Sequence, residues 1–109
     1  MEQQGIEKST KVDLTGEAAY AGGAIVSKIL YKSGSGNLTL FAFDKGQELS
    51  EHSAPYDACV QVIDGTGEII INKVPFRLSA GEFIIMPANV PHAVKAVERF
   101  KMLLTMLRG

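Results

Sequence analysis

Only two histidines, His52 and His92, occur in this 109-residue chain. Imidazole is the usual acid or base at neutral pH and the commonest borderline metal ligand. Each of the two lies where a strand-like run meets a turn. A shared site and simple hydrogen bonding to loop backbone are both compatible with that placement, because only a fold can bring two residues so far apart in sequence together. The single cysteine, Cys59, has no histidine or cation placed beside it and reads as a buried structural thiol rather than a nucleophile. A lone thiol excludes an internal disulfide and favours the reducing cytoplasm. Met102 and Met106 are spaced like neighbours on one face of a strand and read as packing. Arg99 and Lys101, with Lys95, form a modest basic edge expected to face solvent.

The elements that must position these residues are short. Runs rich in branched and aromatic residues fall at 25–31, 38–43, 58–63, 68–71, 74–78, 83–86, 92–97 and 100–107, with glycine-containing turns between most of them. Strands of this length, about ten residues apart, predict an all-β barrel or two-sheet jelly roll. Asn72-Lys73 predicts a two-residue hairpin turn, since Asn tolerates positive φ. Residues 64–67 (Asp-Gly-Thr-Gly) predict a turn that closes one strand before the next begins. One short helix is expected over 14–20, with Thr15 as N-cap and Leu14 as its hydrophobic staple. Residues 1–11 are polar and expected to be loose. The strands are apolar on both parities, as in Ile69-Ile70-Ile71 and Met102-Leu103-Leu104. An antiparallel sheet with one wet face alternates more cleanly. Burial of both faces is therefore predicted, with the barrel interior on one side and a partner subunit, as in a homodimer, on the other.

Composition narrows the class. Hydrophobic residues at 46 % and charged residues at 21 % exclude intrinsic disorder. Eleven basic residues against twelve acidic ones give a net charge of -1, which leaves no large basic face for nucleic acid. No apolar run approaches the length of a membrane span, and the leading residues lack the apolar core of a signal peptide. One domain over 1–109 is the natural size for a single core.

Two spaced motifs go further. Gly46, five residues, His52, one residue, Ala54 and then Gly65 resembles the first motif of the cupin superfamily: Gly, five residues, His-x-His, three or four residues, Glu, six residues, Gly. Gly81, five residues, Pro87, one residue, Asn89, two residues, His92 resembles the second: Gly, five residues, Pro-x-Gly, two residues, His, three residues, Asn. The resemblance spans 38–107 and implies an all-β, double-stranded β-helix (jelly-roll) barrel. It also implies a metal cage of three histidines and one carboxylate aimed into the barrel, with positions left open for substrate. Residues two apart on a strand share a face, which is why His-x-His suits such a cage. In this chain the second histidine position is Ala54 and the Glu position, counted back from Gly65, is Ala58. His52 and His92 match the other two ligands, while the final Asn is Ala96 and the motif glycine is Asn89.

Two of four ligands are thus methyl groups. A divalent transition metal (iron, manganese, nickel or zinc) held by His52 and His92 is expected to be weak or absent. Asp57, one residue before the carboxylate position, is the candidate to swing inward and replace it; Glu51 and Gln61 are lesser candidates, and turn chemistry in 54–57 is the competing reading of Asp57. Losing the two ligands leaves a roomier and more apolar pocket, with His52, Ala54, Asp57, Val60, Met86, His92 and Phe43 as the expected ligand-binding set. Val62, Val94, Ala96 and Phe41 share the inward parity. An apolar concavity with a few polar groups is the usual form of a small-molecule site. The chain is therefore expected to bind a small organic ligand, with a metal-dependent isomerase or dioxygenase as the alternative.

Overall fold

The branched and aromatic runs become eight strands in a computed structural model that describes residues 5–108. They are β1 (Ile25–Ser33), β2 (Gly36–Phe43), β3 (Glu48–His52), β4 (Asp57–Ile71), β5 (Val74–Ser79), β6 (Phe83–Met86), β7 (His92–Lys95) and β8 (Phe100–Leu107). All pairings are antiparallel. One sheet runs β1-β2-β8-β4-β6 and the other β5-β4-β7-β3, with β4 belonging to both. The fold is a double-stranded β-helix barrel, and β8, the last strand in the chain, sits between β2 and β4.

The hairpin at Asn72-Lys73 joins β4 to β5, and both residues adopt positive φ (49° and 71°), which a two-residue turn of this twist requires. Residues 64–67 do not form the expected turn. They lie inside β4, which continues for 15 residues across both sheets. The pairing with β8 shifts between Val62 and Asp64, and Gly65 takes φ 71°. A Cβ on Gly65 would stand 1.9 Å from the Arg99 carbonyl oxygen. The glycine is there to let two backbones approach at a bulge that bends the strand from one sheet into the other. β3 has no counterpart among the expected strands.

Between the sheets lies one cluster that includes Phe43, Val60, Val62, Ile69, Val94, Phe100 and Met102. Phe43 stacks on Phe100 with ring centroids 4.7 Å apart. A second cluster covers the outer face of the first sheet, where Leu30, Leu40 and Ala42 pack under Ala18, with Ile6, Leu14 and Tyr20 alongside. Part of the two-sided apolarity is therefore explained within the chain, by residues ahead of β1 folding over the sheet. The expected helix over 14–20 is a single 3-10 turn, Leu14–Gly16, and its cap is Asp13 rather than Thr15: the Asp13 carboxylate accepts from the Thr15 amide and hydroxyl. Of the leading segment expected to be loose, residues 1–4 lie outside the described residues, and Ile6 is tied by its amide to the Leu30 carbonyl at 2.8 Å.

The covering segment is latched. Tyr20 donates its hydroxyl to Asp64 at 2.5 Å, Arg99 stacks over the Tyr20 ring, and Lys101 reaches the same ring and the Thr15 carbonyl. Burial first, and then the Asp64 carboxylate, push the Tyr20 phenol pKa up. Of the basic edge expected to face solvent, Lys95 and Arg99 are exposed, with Arg99 paired to Asp44 at 2.9 Å, whereas Lys101 is buried. The hydrogen bond from the Gly23 amide, followed by Arg99, lowers the Asp44 pKa to about 2.

Candidate functional site

β3 pairs with β7, and in that register His52 is the direct partner of His92. The loop leading to His92 is fixed by Asn89, which adopts φ 65° and donates its amide to the Ala54 carbonyl at 2.7 Å. Asn serves here where the second motif has glycine, because its short polar side chain tolerates the left-handed region. The loop thereby binds the segment just after His52, and the two rings are brought edge to face with centroids 4.4 Å apart and planes at 72°.

Each ring is oriented by its own backbone. His52 Nδ1 lies 2.8 Å from the Ser50 carbonyl oxygen, and His92 Nδ1 lies 3.2 Å from that of Val90. A carbonyl oxygen only accepts, so in both rings the proton of the neutral imidazole is assigned to Nδ1. Both Nε2 atoms then present lone pairs, and they face each other at 3.2 Å. Locking one ring nitrogen to a carbonyl is also how metal-ligating histidines are commonly oriented. His92 is 5 % exposed, whereas His52 reaches solvent. Burial, reinforced by the charge on His52 when it is protonated, pushes the His92 pKa below its ordinary 6.5, against a smaller opposing effect of the Val90 carbonyl.

The rings border a cavity of about 60 Å³. Ala54 and Ala58 both line it, so the two positions that the motif assigns to ligands do face the imidazoles. Met86, Met102 and Met106 supply three thioethers to the same wall, and the rest is aliphatic. Of the expected ligand-binding residues, His52, Ala54, Met86 and His92 meet at this cavity. Phe43 and Val60 do not line it; they are wholly buried in the core between the sheets. Asp57 does not swing inward. It opens β4, is exposed, and its carboxylate accepts from the Ala88 amide at 2.9 Å, so its role is to fasten the loop after β6. Glu51 is engaged with Lys73 at 3.0 Å, and Gln61 is exposed on the opposite parity of β4. Leu49 of β3 and, on β8, Met102, Leu104 and Met106 line the cavity outside the expected set. The period-two spacing of residues 102, 104 and 106 is the signal that places them on the inner face.

These residues do not fit a four-ligand divalent centre. Two neutral imidazoles are present, but among the described cavity-lining residues no carboxylate supplies the negative charge such a centre uses. The tally of donors is two nitrogens and three sulfurs.

Residues 39–106 match the family model described as Cupin domain. Among curated proteins no match is found. A crystal structure of a conserved protein of unknown function from Streptococcus pyogenes is 39 % identical, with 97 % of this chain and 93 % of that chain covered and a TM-score of 0.91. A cupin 2 conserved barrel domain protein from Leptotrichia buccalis is 44 % identical; 83 % of this chain and 44 % of that chain are covered, with a TM-score of 0.81. A cupin superfamily protein from Desulfitobacterium hafniense shares the fold end to end, at 22 % identity and a TM-score of 0.89.

Proposed function

The chain belongs to the cupin family, and on that premise we propose that it binds a small organic ligand inside its barrel, at the His52–His92 pair. The observation that carries this reading is the pair of Nε2 atoms meeting at 3.2 Å beside an apolar cavity. Two acceptors select a donor, so the ligand's polar end carries a hydroxyl, ammonium or amide group. Volume limits the rest. An apolar cavity of about 150 Å³ can hold benzene, whereas this one measures about 60 Å³. Only a few heavy atoms enter, and the remainder of the ligand lies at the mouth beside His52 and Ala54.

The test is imidazole nitrogen NMR on metal-free protein against short alcohols, primary amines and amides. Binding shifts the Nε2 resonances of both histidines; a panel that moves neither overturns the reading. A ligand present at a hundred times its Kd also stabilises the fold by about 2.7 kcal/mol. The same proposal has the protein working in the cytoplasm as a homodimer. The free thiol of Cys59 and the exposed Phe83 (57 %) and Ile85 (51 %) on the outer face of β6 support it. Light scattering at micromolar concentration reporting a monomer would remove the dimer.

A further inference from the structure

We infer that the cavity is a soft-metal site, in which His52, His92 and the thioethers of Met86 and Met106 hold a single monovalent cation of the copper(I) type. The inference rests on the reading of this cavity as a binding site, but not on any organic ligand.

Position comes first. The register sets Ala58 opposite Met86 on β6 and opposite Met106 on β8. The methyl group that stands at the motif's carboxylate position is thus flanked on both sides by sulfur. Met102 lies four residues along the same inner face of β8, opposite Val62, about 13 Å from Met106; that is too far for both to reach one ion, so it serves as wall. The thiol of Cys59, expected to be buried, is only half-buried, and it takes no part because it has the opposite parity to Ala58. Methionine also serves as a plain gap-filler in cores, and three of them alone would signify little. Here Met86 and Met106 share one cavity of about 60 Å³ with two imidazole Nε2 atoms 3.2 Å apart.

Geometry and charge then choose the occupant. Imidazole–metal bonds of 2.0–2.1 Å to nitrogens 3.2 Å apart subtend about 100–106° at the ion, close to a tetrahedral angle. The imidazoles already hold the orientation that ligation needs, each fixed by a backbone carbonyl at Nδ1. Every donor is neutral. The cost of placing an ion in a low-dielectric site grows with the square of its charge, so a divalent ion without a carboxylate meets about four times the penalty of a monovalent one. Thioethers select copper(I) over the harder divalent metals. The replacement of a histidine and a carboxylate by methyl groups, with sulfur on either side, converts a hard anionic cage into a soft neutral one.

The test uses untagged, metal-free full-length protein carrying Cys59→Ser, so that the thiol cannot contribute. Anaerobic titration with copper(I) against a colorimetric chelator should withdraw one ion per chain. X-ray absorption of that complex should show both nitrogen and sulfur neighbours. Met86→Leu and Met106→Leu together keep the volume and should weaken copper(I) by roughly tenfold or more, as His52→Ala should. No ion withdrawn, or a first shell without sulfur, or full affinity in the leucine variant, overturns the inference. The absorption measurement needs no cavity variant, so it decides even if the leucine protein folds poorly. Copper(I) failing while small alcohols or amines still shift the histidine resonances sinks the soft-metal site alone; copper(I) binding while the organic panel is silent sinks only the organic-ligand reading.

Discussion

Restoring the two missing ligands is the sharpest check on the geometry of the cavity. Ala54→His with Ala58→Glu recreates the full donor set at positions that both line the cavity beside His52 and His92. Ala58 is 4 % exposed, so the new carboxylate is buried. Without metal it lacks a compensating cation, and an unpaired buried acid costs about 2–4 kcal/mol even after relaxation. A domain of this size loses about 5 °C of melting temperature per kcal/mol, so the metal-free variant should melt roughly 10–20 °C below the parent. Zinc or manganese(II) at a hundred times its Kd should return about 2.7 kcal/mol, or roughly 10–15 °C. The parent, with two imidazoles and no anion, should gain almost nothing from the same divalent ions. Differential scanning calorimetry of both proteins, with and without metal, gives the comparison directly. A folded double variant whose transition ignores divalent metal would refute the claim that Ala54 and Ala58 converge on the point where the imidazoles meet.

Three further outcomes follow from other parts of the fold. Gly65→Ala should cost about 3 kcal/mol or more, since its Cβ would lie 1.9 Å from the Arg99 carbonyl oxygen at φ 71°; a shift below about 1 kcal/mol in urea unfolding would contradict the bulge. Tyr20→Phe removes the hydrogen bond to Asp64 and should lower stability by about 1 kcal/mol, with faster amide exchange at Ile6, which an unchanged exchange rate would disprove. His92 in metal-free protein should titrate below 6.5 by NMR, because burial favours its neutral form. Its contribution to stability is then complete above pH 6.5 and declines as pH falls from 6.5 through the folded-state value, since the unfolded chain takes up its proton first. Titration at or above 6.5 would count against burial as the dominant influence.

The strands and both motifs were legible because each rests on a local pattern: branched runs, turn glycines, and histidines at fixed distances from them. The hairpin at Asn72-Lys73 was readable for the same reason. β3 was not, since Glu48–His52 has one apolar residue, Leu49, and no alternating face to detect. The Asp-Gly-Thr-Gly stretch carries genuine turn chemistry, and only the approach of β8 reveals that Gly65 serves a bend inside a strand. Apolar residues on both parities signalled a covered outer face, but sequence could not say that Ala18, Leu14 and Tyr20 would cover part of it while Phe83 and Ile85 stay exposed. Asp57 was misleading for a geometric reason: a carboxylate next to a ligand position on a strand points to the other side, where the Ala88 amide claims it. The methionines escaped notice as donors because each, taken singly, is an ordinary core residue.

The place of β8 has a consequence for how the protein is made. Residues 100–107 fill the slot between β2 and β4, so neither neighbour has its partner until they emerge. β4 ends at Ile71 and β8 at Leu107, so at about 5–20 residues per second the ribosome takes roughly 2–7 s after β4 to deliver that strand. Throughout that time the facing edges of β2 and β4 are bare and apolar, open to pairing with another nascent chain. Chaperone demand and inclusion-body formation should therefore respond to changes at 100–107 more than to equally destabilising changes in β5.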